Sequence, residues 1–258
     1  MFGLARVRRR LLTVCSLGAA ILVWWMATSV FHLVDTVRFP DPGTFLESLH
    51  QIVFAQYAGA DLAQHVASSL GLVLKGFILA SVTGCALGLI MGLSPFWRDF
   101  LLPVFNLLRP VPPLAWIPLA LLWFGLGDAS KLFLITYAAF IPVVINTSAG
   151  VAQIDRVLLE AARVHGARGW PWLRHVIIPG AVPHILIGLR LAMQTCWNVI
   201  VAAELLGAIY GIGKVLSNAT DDVYPGMILV GMATVAVLGI STTYLLEIAE
   251  RRFVTWRR

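Results

Sequence analysis

Residues 76–92 read GFILASVTGCALGLIMG, an uncharged and mostly apolar stretch in which glycine stands at positions 76, 84, 88 and 92. Small residues four positions apart lie on one face of a helix and let a second helix approach closely. The stretch therefore predicts a helix with a packing seam. Its partner across the seam is either another helix of the same chain or a second copy of the chain.

The rest of the chain is also strongly apolar. Of its 258 residues, 59% are hydrophobic and 12% are charged, and the mean hydropathy is +0.85. A soluble fold of this length cannot bury that much apolar surface, and a helix needs roughly 20 apolar residues to cross a bilayer. We therefore expect an all-α integral membrane protein with about six transmembrane helices. The predicted spans are 11–31, 76–97, 110–127, 132–154, 182–208 and 223–246.

The first span follows the basic sequence RVRRR, as the core of a secretory signal would. Its apolar run exceeds the roughly 7–15 residues of a signal core, and bulky residues stand where a cleavage site needs small ones. We expect a retained helix. Residues 1–60 would then form a cytoplasmic arm, the first helix and an external connection. Residues 61–258 would form a core with five transmembrane helices.

Basic residues are unevenly distributed between the segments that connect the predicted helices. Most lie in the N-terminal arm, in the loop after the fourth helix and in the C-terminal tail, whereas the other side has only Arg38, Lys131 and Lys214. Because arginine and lysine collect in cytoplasmic segments, both termini and the loop are expected in the cytoplasm. Their position at membrane edges also accounts for the net charge of +6 without a nucleic-acid partner.

The sequence gives no indication of a metal or an ATP site. Cys15, Cys85 and Cys196 lie in predicted spans and form no close-spaced pair, so neither a disulfide framework nor a thiolate metal site is predicted. The closest approach to a phosphate-binding loop, GAIYGIGKV at 207–215, has one residue too many between its glycines and Val215 where a hydroxyl belongs. We expect a chain that binds no cofactor and is not itself an enzyme.

Prolines interrupt the third predicted helix, RPVPPLAWIPLALLWFGLG at 109–127. Proline removes an amide donor and blocks the carbonyl behind it, so this helix must begin irregularly or break near Pro118. Irregular backbone at membrane depth is tolerated only inside protein or beside a watery cavity. The segment is therefore either part of a permeation pathway or a proline-rich helix start at the membrane surface.

The loop at about 152–181 has a helical pattern of its own. In AQIDRVLLEAARVHG, apolar and charged residues recur on opposite sides at helical spacing, which predicts a short amphipathic helix. Gly166 is expected to end it in a left-handed cap conformation. GWPWLRHVII then restarts a helix with Pro171 in its first turn, and Pro179 is expected to end it. The result is a helix, a glycine bend and a second helix.

This loop has no catalytic constellation. It lacks a nucleophile with a base and a pair of carboxylates, and His165 and His175 are too far apart in sequence to share a helical turn. Ala161 and Ala162, beside Glu160, instead give a helix with a small face that can sit deep in a partner's groove. The pattern indicates a docking element.

The stretch EAARVHGARGWPWLRHVIIPGAVP at 160–183 resembles the EAA loop of permease subunits of ATP-binding-cassette (ABC) importers. Glu160, Ala161, Ala162, Gly166 and Pro179 match that pattern. From about residue 70 to 256 the chain is similar to the subfamily that serves taurine, aliphatic sulfonates and nitrate. The stretches that carry this similarity are LRPVPPLAWIPLALLWFGLG, AAFIPVVINTSAG and VAAELLGA.

The resemblance implies a function and a set of partners. The chain would be a permease of the bacterial plasma (inner) membrane that moves a small anionic solute into the cytoplasm by alternating access. It would work as a homodimer in the lipid bilayer with two ATPase subunits, which hold the ATP and magnesium. A periplasmic or extracellular binding protein would deliver the solute. The loop would insert into a cleft on each ATPase, and Gly166 would set the angle between its two helices.

Polar residues within the spans are candidates for the translocation pathway, as is Pro118. Arg190 and Glu204 are costly at membrane depth, and they are about 21 Å apart along a helix, too far to pair with each other. Each lines a pathway or has a structural partner elsewhere. Gln194 and Asn198, one turn apart, either contact a passing anion or join helices by hydrogen bonds.

Two other classes of membrane protein fit the sequence less well. An ion-coupled secondary carrier should have broken helices in two matching halves, and only the third segment is clearly broken by proline. An intramembrane enzyme needs clustered His, Asp or Glu at membrane depth, and Glu204 has no nearby histidine on its helix. Both alternatives leave the loop pattern unexplained.

Overall fold

The computed structural model describes residues 2–31, 35, 39–205 and 207–253, and these residues are almost entirely helical. Short π-helical turns occur at Met26–Val30 and Leu173–Ile177, and a 3₁₀ turn occurs at Pro113–Trp116. The α-helices are α1 Phe2–Trp25, α2 Pro42–Phe54, α3 Leu62–Leu93, α4 Pro95–Leu108, α5 Ile117–Phe124, α6 Asp128–Ala152, α7 Arg156–Val164, α8 Gly169–Trp172, α9 Ile178–Leu205, α10 Ile212–Asp221 and α11 Pro225–Phe253.

Five helical stretches of the described chain are long and apolar enough to cross a membrane. Helices α4 and α5 are long and apolar enough only as a pair, which is bent by 85° at a short break, and they make a sixth span if the pair is one broken span. The prediction of about six transmembrane helices is confirmed. The five unbroken stretches are Leu11–Val30, Leu62–Leu93, Asp128–Ala152, Gly169–Leu205 and Pro225–Arg252.

The irregularity predicted near Pro118 lies on its N-terminal side. The chain bends at residues 109–112, passes through the 3₁₀ turn Pro113–Trp116 and starts α5 at Ile117. Pro118 is in the first turn of α5, where a missing amide donor costs little, so the helix begins irregularly but does not break at this residue. The preceding helix α4 is not among the helices predicted from the sequence. This helix begins at Pro95, directly after the end of α3.

The four glycines of α3 form a packing seam with α6. A Cβ atom added at any of them would lie 2.5 to 2.9 Å from a side-chain atom of α6, closer than side chains can pack. The seam therefore joins two helices of one chain, and the alternative of a dimer seam is wrong for these glycines. Gly76 faces Ile135, Gly84 faces Val143, Gly88 faces Thr147 and Gly92 faces Val151.

Helix α6 is the centre of the bundle because it packs against both α3 and α9. On the α9 side, Gly188 approaches the backbone of α6 at Pro142, and Gly150 of α6 approaches α9 at Ala181 and His184. The main core cluster contains apolar residues of all three helices. Residue numbers rise together along the α3–α6 seam, so these two helices run parallel, and α9 runs antiparallel to both.

The two ends of the bundle carry different elements. At one end, α7 and α8 connect α6 to α9. At the other end, α2 and α10 pack with the start of α11 in a separate apolar cluster around Ile52, Val215 and Met227. Helix α2 belongs to the predicted N-terminal segment, residues 1–60, but it contacts α11 of the predicted core. The division of the chain at residue 60 therefore stays a prediction.

We predict that Gly88→Ala destabilises the bundle, whereas Gly71→Ala on the same helix does not. The new Cβ at Gly88 would lie 2.8 Å from the carbonyl oxygen of Val144, but at Gly71 it meets nothing within 4 Å. Overpacking costs about 1–3 kcal/mol, and replacing an unconstrained helical glycine gains roughly 0.5–1 kcal/mol. Thermal unfolding of both variants in detergent checks this, and equal melting temperatures would contradict the seam.

Candidate functional site

The loop between α6 and α9 carries a short helix that leaves its apolar residues exposed. Asp155 caps α7 by accepting a hydrogen bond from the backbone N–H of Val157 at 2.9 Å. Leu159 packs against the body of the protein, but Leu158 and Val164 are exposed, the latter at 86%. The apolar side predicted for this helix therefore points away from the protein, with Glu160 and Ala161 also exposed.

Gly166 ends α7 in the predicted cap. Its φ of +78° is in the left-handed region, and the N–H groups of Gly166 and Ala167 bond to the carbonyls of Arg163 and Ala162, both at 3.0 Å. This pair of bonds is the Schellman motif, which satisfies carbonyls that the helix leaves free. A Cβ at position 166 would meet nothing within 4 Å, so glycine is required there by backbone conformation alone.

The prediction that Pro179 ends the second helix of the loop is wrong. The chain stays helical from Gly169 to Leu205, and Pro179 is the second residue of α9. The π-turn Leu173–Ile177 ends directly before α9. It changes the backbone hydrogen-bond pattern close to Pro179, which has no amide hydrogen to donate. Around this turn, Ile177 forms one buried apolar cluster with Val151 of α6 and Ile154, and Trp172 packs against that cluster, so the loop is seated on the end of α6.

Arg190 joins α9 to α11. Its guanidinium contacts the carboxylates of Glu247, at 3.7 Å, and Glu250. All three side chains are partly exposed. These contacts supply the structural partners that the sequence could not identify, and a role of Arg190 in permeation stays a prediction.

Glu204 is sealed inside a polar network at the opposite end from the loop. Its side chain is 1% exposed and accepts hydrogen bonds from the Ser69 hydroxyl and from the backbone N–H of Gly213, at 2.8 Å. The Ser69 oxygen in turn accepts from the N–H of Ile212 at 2.9 Å. Glu204 therefore holds the first turn of α10, where free amides favour a negative charge. This geometry favours a structural role.

His65 and Tyr57 extend this network toward the surface. The Nδ1 atom of His65 accepts from the N–H of Gly211 at 3.0 Å, so its Nε2–H donates to the carbonyl of Tyr57 at 2.9 Å. Burial and a hydrogen bond to Asp222 raise the pKa of the Tyr57 phenol. The sequence feature that corresponds to this network is the run Gly211, Ile212, Gly213. It resembles an incomplete phosphate-binding loop, and in the structure it is the capped start of α10.

An open groove of about 560 Å³ lies between α9 and α11. Gln194 and Asn198 line it midway along α9, and both are exposed in the single chain. Trp197 closes its floor by donating from Nε1 to the hydroxyl of Thr242 at 3.0 Å. Amides at membrane depth do not face lipid, so this groove is covered by protein or filled with water.

The other candidate pathway residues do not meet in this groove. Pro118 lies on α5, away from the groove, and Glu204 is closed inside its polar network. Arg190 does not line the groove but contacts Glu247, which does. A second groove, of about 330 Å³, runs along α6 and α9 with Asn146 and Thr195 in its lining. Sequence reasoning missed it, because its polar residues come from helices that are distant in the chain.

Comparison with protein families places most of the helical core in one of them. Residues 80–255 match the model of the family described as binding-protein-dependent transport system inner membrane component. The chain belongs to this family. It is therefore a multi-pass permease subunit of an ABC importer, the membrane component and not the ATPase of such a system.

Several relatives of this permease are similar to it over most of their length. The taurine transport system permease protein TauC of Escherichia coli is 37% identical over 96% of this chain and 90% of that protein. The putative aliphatic sulfonates transport permease protein SsuC of Bacillus subtilis is 32% identical over 93% and 86%. The nitrate import permease protein NrtB of Synechocystis is 33% identical over 86% and 82%.

The permease also shares its fold with a solved ABC transporter. It superposes on a chain of the inward-facing MetNI methionine ABC transporter with a TM-score of 0.61 and 22% sequence identity. The match covers 75% of the permease and 94% of that chain. The helical arrangement derived from the α3, α6 and α9 packing is thus that of an importer permease.

We predict that Glu204→Ala strongly destabilises the permease. The substitution leaves the Gly213 amide and the Ser69 hydroxyl without their acceptor, at about 1–3 kcal/mol for each buried group. Glu204→Gln keeps an acceptor and should lose less, roughly the 0.3–1 kcal/mol of a charge at a helix N-terminus. Glu47→Ala, on the exposed side of α2, is the matched control. Melting temperatures in detergent should fall in the order control, Gln, Ala, and no difference between the two alanine variants would contradict the capping role.

Proposed function

We propose that this permease carries a small sulfonate or oxyanion, such as taurine, an alkanesulfonate or nitrate, into the bacterial cytoplasm. The observation that carries the solute class is its similarity, over most of the chain, to permeases named for these solutes. A binding protein outside the membrane delivers the solute. Two ATPase subunits, which hold ATP and magnesium, drive alternating access from the cytoplasmic side.

The loop end is the docking site for the ATPase in this proposal. The exposed helix α7 offers Leu158 and Val164 as apolar contacts, and Ala161 and Ala162 allow a close approach beside Glu160. An exposed apolar side on a helix of a soluble loop is typical of helix-in-groove recognition. The arginines of the loop support a position of the loop and of both termini on the cytoplasmic side of the plasma (inner) membrane.

A mechanical connection runs from this docking site to the α9–α11 groove. The Gly166 cap fixes residues 166 and 167 to the end of α7, and from Gly169 the chain continues through the π-turn and Pro179 into α9 without leaving helical structure. Movement of α7 by the ATPase therefore moves α9. The ATP-bound partner favours one of two membrane conformations, and the loop transmits that preference.

The groove is the proposed translocation surface. Gln194 and Asn198 supply amide groups that can hydrogen-bond an oxyanion, and a second copy of the permease closes the open side. Arg190 lies beside this surface through Glu247 and holds α9 to α11. An ion-coupled carrier is not favoured, because only one pair of helices in the described chain forms a bent span.

The docking proposal predicts that Gly166→Val loses its ATPase, while Gly59→Val keeps it. Both glycines have left-handed φ angles and open space around a new Cβ, but Gly59 lies at the other end of the bundle. Forcing a side chain into this conformation costs roughly 1–2 kcal/mol, enough to weaken binding about tenfold. Co-purification from native membranes with vanadate-sensitive ATP hydrolysis as the readout tests this. Equal recovery of ATPase by both folded variants would contradict docking at the loop.

The solute proposal predicts uptake of a labelled sulfonate or nitrate, but not of methionine, by proteoliposomes that contain the full transporter and its binding protein. Asn198→Leu should lower the rate of uptake by about tenfold, since a lost hydrogen bond to a charged group is worth roughly 1.5–3 kcal/mol. Its control is Asn106→Leu on α4, outside the groove. Uptake of neither anion by an active transporter would refute the solute class.

A further inference from the structure

A small cavity opens at the end of the bundle opposite the loop at about 152–181 between α6 and α9, here called the coupling loop. It encloses about 330 Å³ and lies where α6 begins, beside α3 and the segment between α9 and α10. Its lining includes Ser68, Asp128, Lys131 and Tyr210. The cavity is about 36 Å from the coupling loop, measured along α6 at 1.5 Å per residue.

Lys131 is a buried cation in the wall of this cavity. Its side chain is only 7% exposed, whereas that of Asp128, its ion-pair partner at 3.1 Å, is 75% exposed. Burying an ammonium group is costly unless an anion stays beside it. An exposed aspartate is a loosely held anion, because water can solvate its carboxylate as well as the lysine does. Lys131 is fixed in the cavity wall by its burial, whereas the exposed carboxylate beside it can be exchanged.

The start of α6 adds further positive potential at the same place. Gly127, at the N-cap, has no side chain to bind the free amides of the first turn of this long helix. Glu204 lies within electrostatic range of Lys131, but its carboxylate is hydrogen-bonded to Ser69 and Gly213 and does not line the cavity. Asp128 is therefore the acidic side chain that competes for Lys131 inside the cavity.

We propose that this cavity is an entrance subsite for the anionic head of the transported solute, a sulfonate or nitrate group. The oxyanion replaces the carboxylate of Asp128 on the Lys131 ammonium, and Asp128 turns out into water. This assignment rests on the proposed function, in which the solute is an anion and this end faces the binding protein. Asp128 then competes with the solute for Lys131. Its carboxylate leaves the ammonium group when the oxyanion binds and returns when the oxyanion is released.

The proposal predicts effects of opposite sign for the two partners of the ion pair. Lys131→Gln removes the cation and should weaken anion binding, whereas Asp128→Asn removes the competitor and should strengthen it. A purely structural ion pair gives effects of the same sign, since either substitution breaks the same contact. Lys131→Arg should keep the site, because it retains the charge. Lys214→Gln, on α10 at the same end but outside the cavity, is the matched control.

The experiment measures binding of ethanesulfonate and of nitrate to the permease–ATPase complex in nanodiscs, without the binding protein. The expected result is an apparent Kd raised about tenfold or more by Lys131→Gln, and lowered several-fold by Asp128→Asn. Lys131→Arg and Lys214→Gln should stay near the wild-type value. If Lys131→Gln does not fold, the Asp128→Asn variant tests the proposal by itself. It should bind the anion more tightly than the wild type.

Shifts of the same sign in the two variants, or no shift in either, overturn the subsite. Uptake of labelled solute by proteoliposomes separates this outcome from failure of the proposed function. If sulfonate or nitrate uptake persists with an unchanged KM in Lys131→Gln, the subsite is wrong and the solute class stands. If the active wild-type transporter takes up neither anion, the solute class is wrong and the subsite falls with it.

Discussion

Close contact between the backbones of α3 and α6 is the constraint on which this structure depends. In a bilayer, lipid chains are as apolar as leucine, so helices associate through dense packing at short distance and not through the removal of apolar surface from water. The glycines at 76, 84, 88 and 92 permit that distance. Together with α9, which packs on another face of α6, the seam fixes the position of both ends of α6. The loop is seated at one end, and Lys131 lies at the other.

The features that follow from local sequence rules were predictable, and those that depend on distant residues were not. Glycine spacing gave the seam but not its partner, because spacing alone carries no information about what lies across it. The Gly166 cap was predictable since it depends on one residue's backbone freedom. The partners of Glu204 and Arg190 were hidden, because Ser69 and Glu250 are 135 and 60 residues away in sequence. No local pattern links residues so far apart.

Two proline predictions had different outcomes for a physical reason. The bend before Pro118 follows from several prolines in a short segment, where no helix can form. Pro179 stands alone at the start of α9, where its missing donor is readily accommodated after the π-turn. As a result, the loop and α9 form a continuous helical path of 37 residues. A proline that ended the helix would have uncoupled the surface element from the groove.

The parallel α3–α6 seam also has a consequence for biogenesis. Membrane helices enter the bilayer in chain order, and α4 and α5 are made between the two partners of the seam. The glycine face of α3 therefore meets lipid until α6 arrives, with shallow notches that acyl chains fill poorly. Insertion of α6 removes that defect and creates the surface on which α9 then packs. A translational pause before α6 is therefore expected to prolong the stage at which the glycine face of α3 lacks its partner.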